Sequence, residues 1–226
     1  MISESSSFLG IREQVLAVVR KLCQAGLVRL SVGNVSARDP SGYVAITPTG
    51  VPYDVLCADD IVIVDLDGNV VSGHRSPSSE TPMHTAILKS LPAINAVIHT
   101  HSIYAMAFSI AGRSIPVVCT EGLFVGGELP VARYATPGTF EAGEAVLEAL
   151  SSTEGLRAVL LRNHGLVAVG ESLEEAWEVA YKAEIQAEAY YLALQVGKPT
   201  PLSAQQLSAM KAAYLGARDR VSPRGK

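Results

Sequence analysis

Ala96-Val97-Ile98-His99-Thr100-His101 is the stretch on which the reading of this chain turns. The apolar run Ala96–His99 is short and rich in β-branched residues, and it reads as a buried strand. Side chains two apart on a strand share a face, with Cα atoms about 6.5–7 Å apart. Two imidazoles at that spacing, His99 and His101, can converge on one cation. A third donor is available in His164, in the tight Arg162-Asn163-His164-Gly165 turn between two strand-like runs. Three neutral imidazoles leave a metal with an open position, the arrangement of a catalytic rather than a structural zinc site. A lone His-x-His pair is more often a chance pair at a strand end, and His164 beside a glycine turn is what strengthens the metal reading. His74, in a polar loop, and His84, on an expected helix, have no such context and are read as non-ligands.

Outward from this strand, helix and strand signals alternate along the whole chain. Ile11, Val15, Val18, Val19 and Leu22 have helical spacing that ends at Gly26. Residues 31–42, SVGNVSARDPSG, read as a glycine-containing loop. Tyr43–Thr47 and Ile61–Leu66 read as strands, the second turning at Asp67-Gly68 into Asn69–Val71. Ser79 is expected to cap a helix running to Ser90, with Pro82 tolerated in its first turn. Helices are expected over Ser102–Ala111, Phe140–Leu150, Leu173–Leu194 and Ser203–Leu215. Further strands are expected at Ile115–Cys119, Pro130–Tyr134, Ala158–Arg162 and Leu166–Val169. Strands and helices mixed in this way point to a three-layer α/β domain, and the hairpin signals favour antiparallel pairing.

Composition bounds the function. The 226 residues carry 18 Lys+Arg against 22 Asp+Glu, a net charge of −4, which excludes the basic face of a nucleic-acid binder. With 48% hydrophobic and 18% charged residues the chain can offset its folding entropy. The length suits one domain spanning 1–226, with a core of about residues 10–195 and a helical tail over 203–226. Cys23, Cys57 and Cys119 are widely spaced and odd in number, so a reducing compartment is expected. The N-terminal MISESSSFLG lacks the pattern of a signal peptide, and no stretch has the length of a membrane span. A cytoplasmic location without membrane association is the expectation.

Three polar segments could hold an anion: Gly33-Asn34-Val35-Ser36, the turn Thr47-Pro48-Thr49-Gly50, and Ser78-Ser79 before a helix start. Each alone is also ordinary turn or capping chemistry. Neither nucleotide-binding glycine pattern occurs. Glu80 follows the two serines, and it is either dipole compensation in a first helical turn or a general base.

Taken in order, Gly33-Asn34-Val35-Ser36, Ile46-Thr47-Pro48-Thr49-Gly50-Val51-Pro52-Tyr53, Pro77-Ser78-Ser79-Glu80, His99-Thr100-His101, Tyr134-Ala135-Thr136 and Asn163-His164-Gly165 resemble the class II aldolase/adducin superfamily. Within it the chain is most similar to members that cleave ketose 1-phosphates such as L-fuculose 1-phosphate. The resemblance implies an α/β/α domain around a largely antiparallel sheet, assembled as a C4 homotetramer with active sites between subunits. It implies zinc held by His99, His101 and His164, with Glu80 as the base. Asn34, Thr49, Gly50, Ser78 and Ser79 would cradle the substrate phosphate, and Tyr214 would close over the site from the tail.

The implied reaction is aldol cleavage to dihydroxyacetone phosphate and an aldehyde through a metal-stabilised enediolate. Manganese, cobalt or iron would fit the same donors. A Schiff-base route would need a desolvated lysine, and all six lysines lie in helical or tail contexts. One departure stands out. Where close relatives carry a tyrosine acid after Ser114-Ile115-Pro116, this chain has Thr120-Glu121. Glu121 is either a substitute acid or a surface charge. That substitution leaves open a sugar-phosphate dehydratase, 4-epimerase or decarboxylase. A non-catalytic adducin-like binding domain would lack the three histidines.

Overall fold

The computed structural model describes residues 8–221, with side chains up to residue 214 in the last helix. The expectations for the N-terminal segment before residue 8 and for 222–226 lie outside the described residues.

Eight strands form one sheet: β1 (Asn34–Arg38), β2 (Val44–Ile46), β3 (Val62–Val64), β4 (Val70–Ser72), β5 (Ala96–Thr100), β6 (Val131–Ala132), β7 (Ala158–Leu161) and β8 (Gly165–Gly170). The spatial order is β4-β3-β2-β1-β5-β8-β7-β6. All neighbours pair antiparallel except β6 and β7, which are parallel. The helices are α1 (Leu9–Gln24), α2 (Thr81–Ser90), α3 (Ile103–Ala111), the short α4 (Gly122–Val125), α5 (Phe140–Leu150), α6 (Leu173–Val196) and α7 (Ala204–Val221). The central sheet is flanked by helices, giving the expected α/β architecture with a largely antiparallel sheet. Helices α1 and α3 each pack against α6, while α2 and α5 form a separate pair against β5, β6 and β7.

Local chemistry accounts for these elements. Val15, Val18, Val19 and Leu22 form the buried stripe of α1. Thr139 caps α5 by accepting from Ala142 N–H, and Ser172 caps α6 by accepting from Glu175 N–H. Helix α3 is capped from outside itself: Tyr104 and Ala105 N–H donate to the Glu184 carboxylate of α6, each at 2.9 Å. Each fully buried apolar side chain, such as Ile98, Leu160 or Leu166, stabilises the core by about 1.5–3 kcal/mol. Among the described residues no helix is long and apolar enough to cross a membrane.

Three expectations need correction. The segment read as a loop contains β1, a strand between β2 and β5 near the middle of the sheet. Its polar Asn34 and Ser36 are buried and hydrogen-bonded, so tertiary partners override their turn preference. Ile115–Cys119 makes only the single bridge Ile115–Leu129, and Pro116 has no N–H to extend it. Ser79 does not cap α2. Glu80 occupies the cap position, and Ser78 Oγ accepts from Glu80 N–H at 3.2 Å.

Candidate metal centre and catalytic cavity

Sheet register builds the centre. Asn34 pairs directly with His99 across β1 and β5, and Thr100 pairs with Leu166 across β5 and β8. The β7–β8 turn carries Asn163 at φ 58° and delivers His164 beside the end of β5. Two glycines allow the close approach. A Cβ on Gly165 would lie 2.3 Å from Thr100 O, and one on Gly33, at φ 84°, would lie 2.7 Å from His99 O.

The three histidines come together as expected. Their ligand atoms all lie within 4.8 Å of one another, with His99 buried and His101 and His164 half-buried. His99 Nδ1–H donates to Leu166 O at 2.9 Å, which leaves Nε2 as a lone pair. That Nε2 lies 3.0 Å from His101 Nε2 and 3.2 Å from Glu80 Oε2. His164 Nε2 lies 3.8 Å from Glu80 Oε1. Burial, reinforced by His164 and His101, holds His99 well below the usual histidine range. Burial followed by His164 lowers His101 as well. His99 and His101 are therefore poised as neutral donors.

The residues fit a divalent cation. Imidazole lone pairs and a buried carboxylate face one another, and Glu80 Oε1 has no hydrogen-bond partner. Converging acceptors with nothing to accept from are costly unless a cation satisfies them. Three imidazole nitrogens suit zinc, manganese, cobalt or iron.

Asn34, Thr49, Gly50, Ser78, Ser79, Glu80, His101 and His164 border one cavity of about 220 Å³. Its two polar loops are stitched together: Ser78 N–H donates to Thr47 O at 3.0 Å and Thr49 N–H to Ser76 O at 3.1 Å. Ser79, Thr49 and Gly50 are exposed, whereas Ser78 is buried. Asn34 differs from the expectation that it simply faces an anion. Its carboxamide is engaged at both atoms, Nδ2 donating to Glu80 Oε2 at 2.8 Å and Oδ1 meeting His84 Nε2.

Glu121 and Tyr214 do not border this cavity. Glu121 accepts from Thr120 Oγ1 at 3.1 Å at the start of α4. Tyr214 stacks edge-on against Phe124, with ring centroids 5.1 Å apart, at a different cavity. His74 lies 3.4 Å from Asp60 Oδ1, away from the centre. His84 is not among the clustered ligands, as expected, yet sequence reasoning missed its place behind Glu80. Its one signal was the spacing, since Glu80 and His84 are four apart and share a helix face. Among the described residues, no lysine borders the histidine cavity.

Comparison with known proteins agrees with this geometry. A family profile described as "Class II Aldolase and Adducin N-terminal domain" matches residues 13–191. The 5-deoxy-D-ribulose 1-phosphate aldolase of Bacillus thuringiensis is 35% identical over 206 residues, 91% of this chain and 95% of that protein. The L-ribulose-5-phosphate 4-epimerase of Salmonella paratyphi B is 36% identical over 176 residues, 74% of this chain and 77% of that protein. A solved structure of an L-fuculose 1-phosphate aldolase superposes with a TM-score of 0.85 at 33% identity, covering 91% of this chain and 96% of the other.

Proposed function

Since the chain belongs to the class II aldolase/adducin family, we propose that it is a divalent-metal-dependent aldolase acting on a phosphorylated ketose such as L-fuculose 1-phosphate. The products are dihydroxyacetone phosphate and an aldehyde. One observation carries the reading: a carboxylate with a free, buried oxygen stands against three converging imidazoles, in a cavity edged by two polar loops.

A divalent metal bound there, zinc first among the candidates, would supply Lewis acidity. His99, His101 and His164 would hold it, His99 being aimed by the Leu166 carbonyl. Glu80 takes the carbon-bound proton in the synthetic direction and returns it in cleavage. Thr49, Gly50, Ser78 and Ser79 receive the phosphate, helped by the positive end of α2. With a net charge of −4, the chain attracts its anionic substrate locally and not through its overall field. The chain acts as one domain, and a homotetramer would bring Glu121 of a neighbouring subunit to each cavity, with Tyr214 closing over it from the tail.

The test is a cleavage assay over a panel of ketose 1-phosphates with coupled detection of dihydroxyacetone phosphate. Cleavage abolished by chelation and restored by metal supports the reading, and full activity after chelation sinks it. A second reading, a 4-epimerase or another reaction that begins with the same proton or carbon transfer, has support in the similarity to the epimerase and in Thr120. Product analysis separates them, because an epimerase conserves the carbon skeleton.

A further inference from the structure

Behind Glu80 lies a buried polar chain to which the reaction outlined above gives no role. Asn34 and Ser36 are two apart on β1 and face α2, where His84 stands one turn beyond Glu80. Asn34, Ser36, Glu80 and His84 are all buried. Hydrogen positions along the chain follow from elementary bonding rules. A carboxylate only accepts, so Asn34 Nδ2–H donates to Glu80 Oε2 at 2.8 Å. Asn34 Oδ1 is then the acceptor that faces His84, and His84 Nε2 must carry the hydrogen. Burial pushes the fully buried His84 down to about 3, so its ring is neutral and Nδ1 is a lone pair. Ser36 Oγ–H therefore donates to Nδ1, at 2.6 Å. Every donor points the same way, toward Glu80.

The two carboxylate oxygens are left unequal. Oε2 is tied by Asn34, while Oε1 has no partner and faces His164. We propose that Ser36, His84 and Asn34 form a one-directional hydrogen-bond chain that holds Glu80 by Oε2 and reserves Oε1 as the oxygen that takes the carbon-bound proton. The three are positioning residues, and the proposal rests on Glu80 being the base. A carboxylate free to rotate would spend part of its time with neither oxygen aligned, and small misalignments of a base are expensive.

Two measurements decide it. The first uses the native protein labelled with 15N-histidine and reads the His84 tautomer by 1H–15N correlation at neutral pH. The chain requires hydrogen on Nε2 and a bare Nδ1; hydrogen on Nδ1, or a doubly protonated ring, overturns it. The second follows deuterium exchange into dihydroxyacetone phosphate by the metal-loaded protein. His84→Leu is expected to lower kcat by about tenfold to a hundredfold, with KM and metal content little changed. His84→Gln, whose amide N–H can stand where Nε2–H stood, is expected to recover most of that loss. Equal losses in both variants, or a loss confined to KM, overturn the positioning role. Should His84→Leu fail to fold, the tautomer and the His84→Gln rate still decide. A native protein that exchanges no proton defeats the assignment of Glu80 as base, while the tautomer still judges the chain itself.

Discussion

Asp60 and Glu80 are both buried carboxylates at the start or end of a helical turn, each with a histidine beside it, yet they are built for opposite ends. Asp60 is saturated. Cys57 N–H and Sγ–H donate to Oδ2 at 3.0 and 3.1 Å, and Arg75 Nε–H donates to Oδ1 at 2.8 Å. The Cys57 backbone N–H, with Cys57 Sγ–H and Arg75 adding to it against the cost of burial, holds Asp60 down at about 2. Glu80 is half-satisfied, one oxygen held by Asn34 and the other bare. A saturated carboxylate stabilises the fold. A half-satisfied one costs stability and keeps an oxygen in reserve for chemistry.

The sharpest way to break this comparison is to remove what Glu80 faces. His99→Ala is expected to lose bound metal and to take cleavage to background, with the fold retained by circular dichroism. Metal retained at full stoichiometry would mean that the three histidines are not the site. Next in size is Glu80→Gln. The three imidazoles keep the metal, while proton exchange on dihydroxyacetone phosphate falls by about a hundredfold or more. Its melting temperature is expected to stay level or rise, because the half-satisfied charge is gone. Unchanged exchange would remove Glu80 as the base.

Asp60→Asn should do the reverse. It turns an acceptor into a group whose NH2 faces other donors, and the expected cost is about 2 kcal/mol, or about 4–8 °C in Tm, with kcat per folded molecule unchanged. Linkage adds a sign. Asp60 sits below its ordinary value of 3.8, so its contribution is full above that pH and drains away as pH falls through 3.8 toward about 2. The native protein should therefore lose stability over that acid window more steeply than Asp60→Asn, as measured by urea unfolding at stepped pH. Parallel curves would show that Asp60 is not a stabilising charge.

The same contrast explains what could be read without a structure. His99, His101 and His164 were candidates from spacing and a glycine turn, because strand period and turn chemistry are local properties, and the family resemblance is what strengthened them. The helix over Phe140–Leu150 was legible for the same reason, and the structure adds Thr139 as its cap. Strand β1 was not. Asn34 and Ser36 carry turn chemistry, and only partners 46 and 48 residues away, Glu80 and His84, make them strand residues. Glu80 was visible as a candidate base, but the atom it reserves depends on Asn34 and could not be deduced from the chain alone. Glu121 and Tyr214 were suggested by resemblance, and no contact within one chain brings them to the histidine cavity.

The smallest expected effect tests the comparison at its finest grain, within the Asp60 site. Cys57 supplies two donors to one oxygen, and the backbone N–H is the larger influence. Cys57→Ala keeps that N–H and deletes only the thiol, a weak donor. Asp60 Oδ2 stays satisfied, so the loss should be about 0.5 kcal/mol, and the acid unfolding midpoint should move only slightly upward in pH. Cys57→Ser keeps a hydroxyl donor and should sit at or above the native stability. A loss in Cys57→Ala as large as that in Asp60→Asn would mean that the thiol, not the backbone, carries the charge. Asp60 Oδ2 would then depend on a single side chain, much as Glu80 Oε2 depends on Asn34, and the distinction between the two carboxylates would narrow to the other oxygen, held by Arg75 in Asp60 and left bare in Glu80.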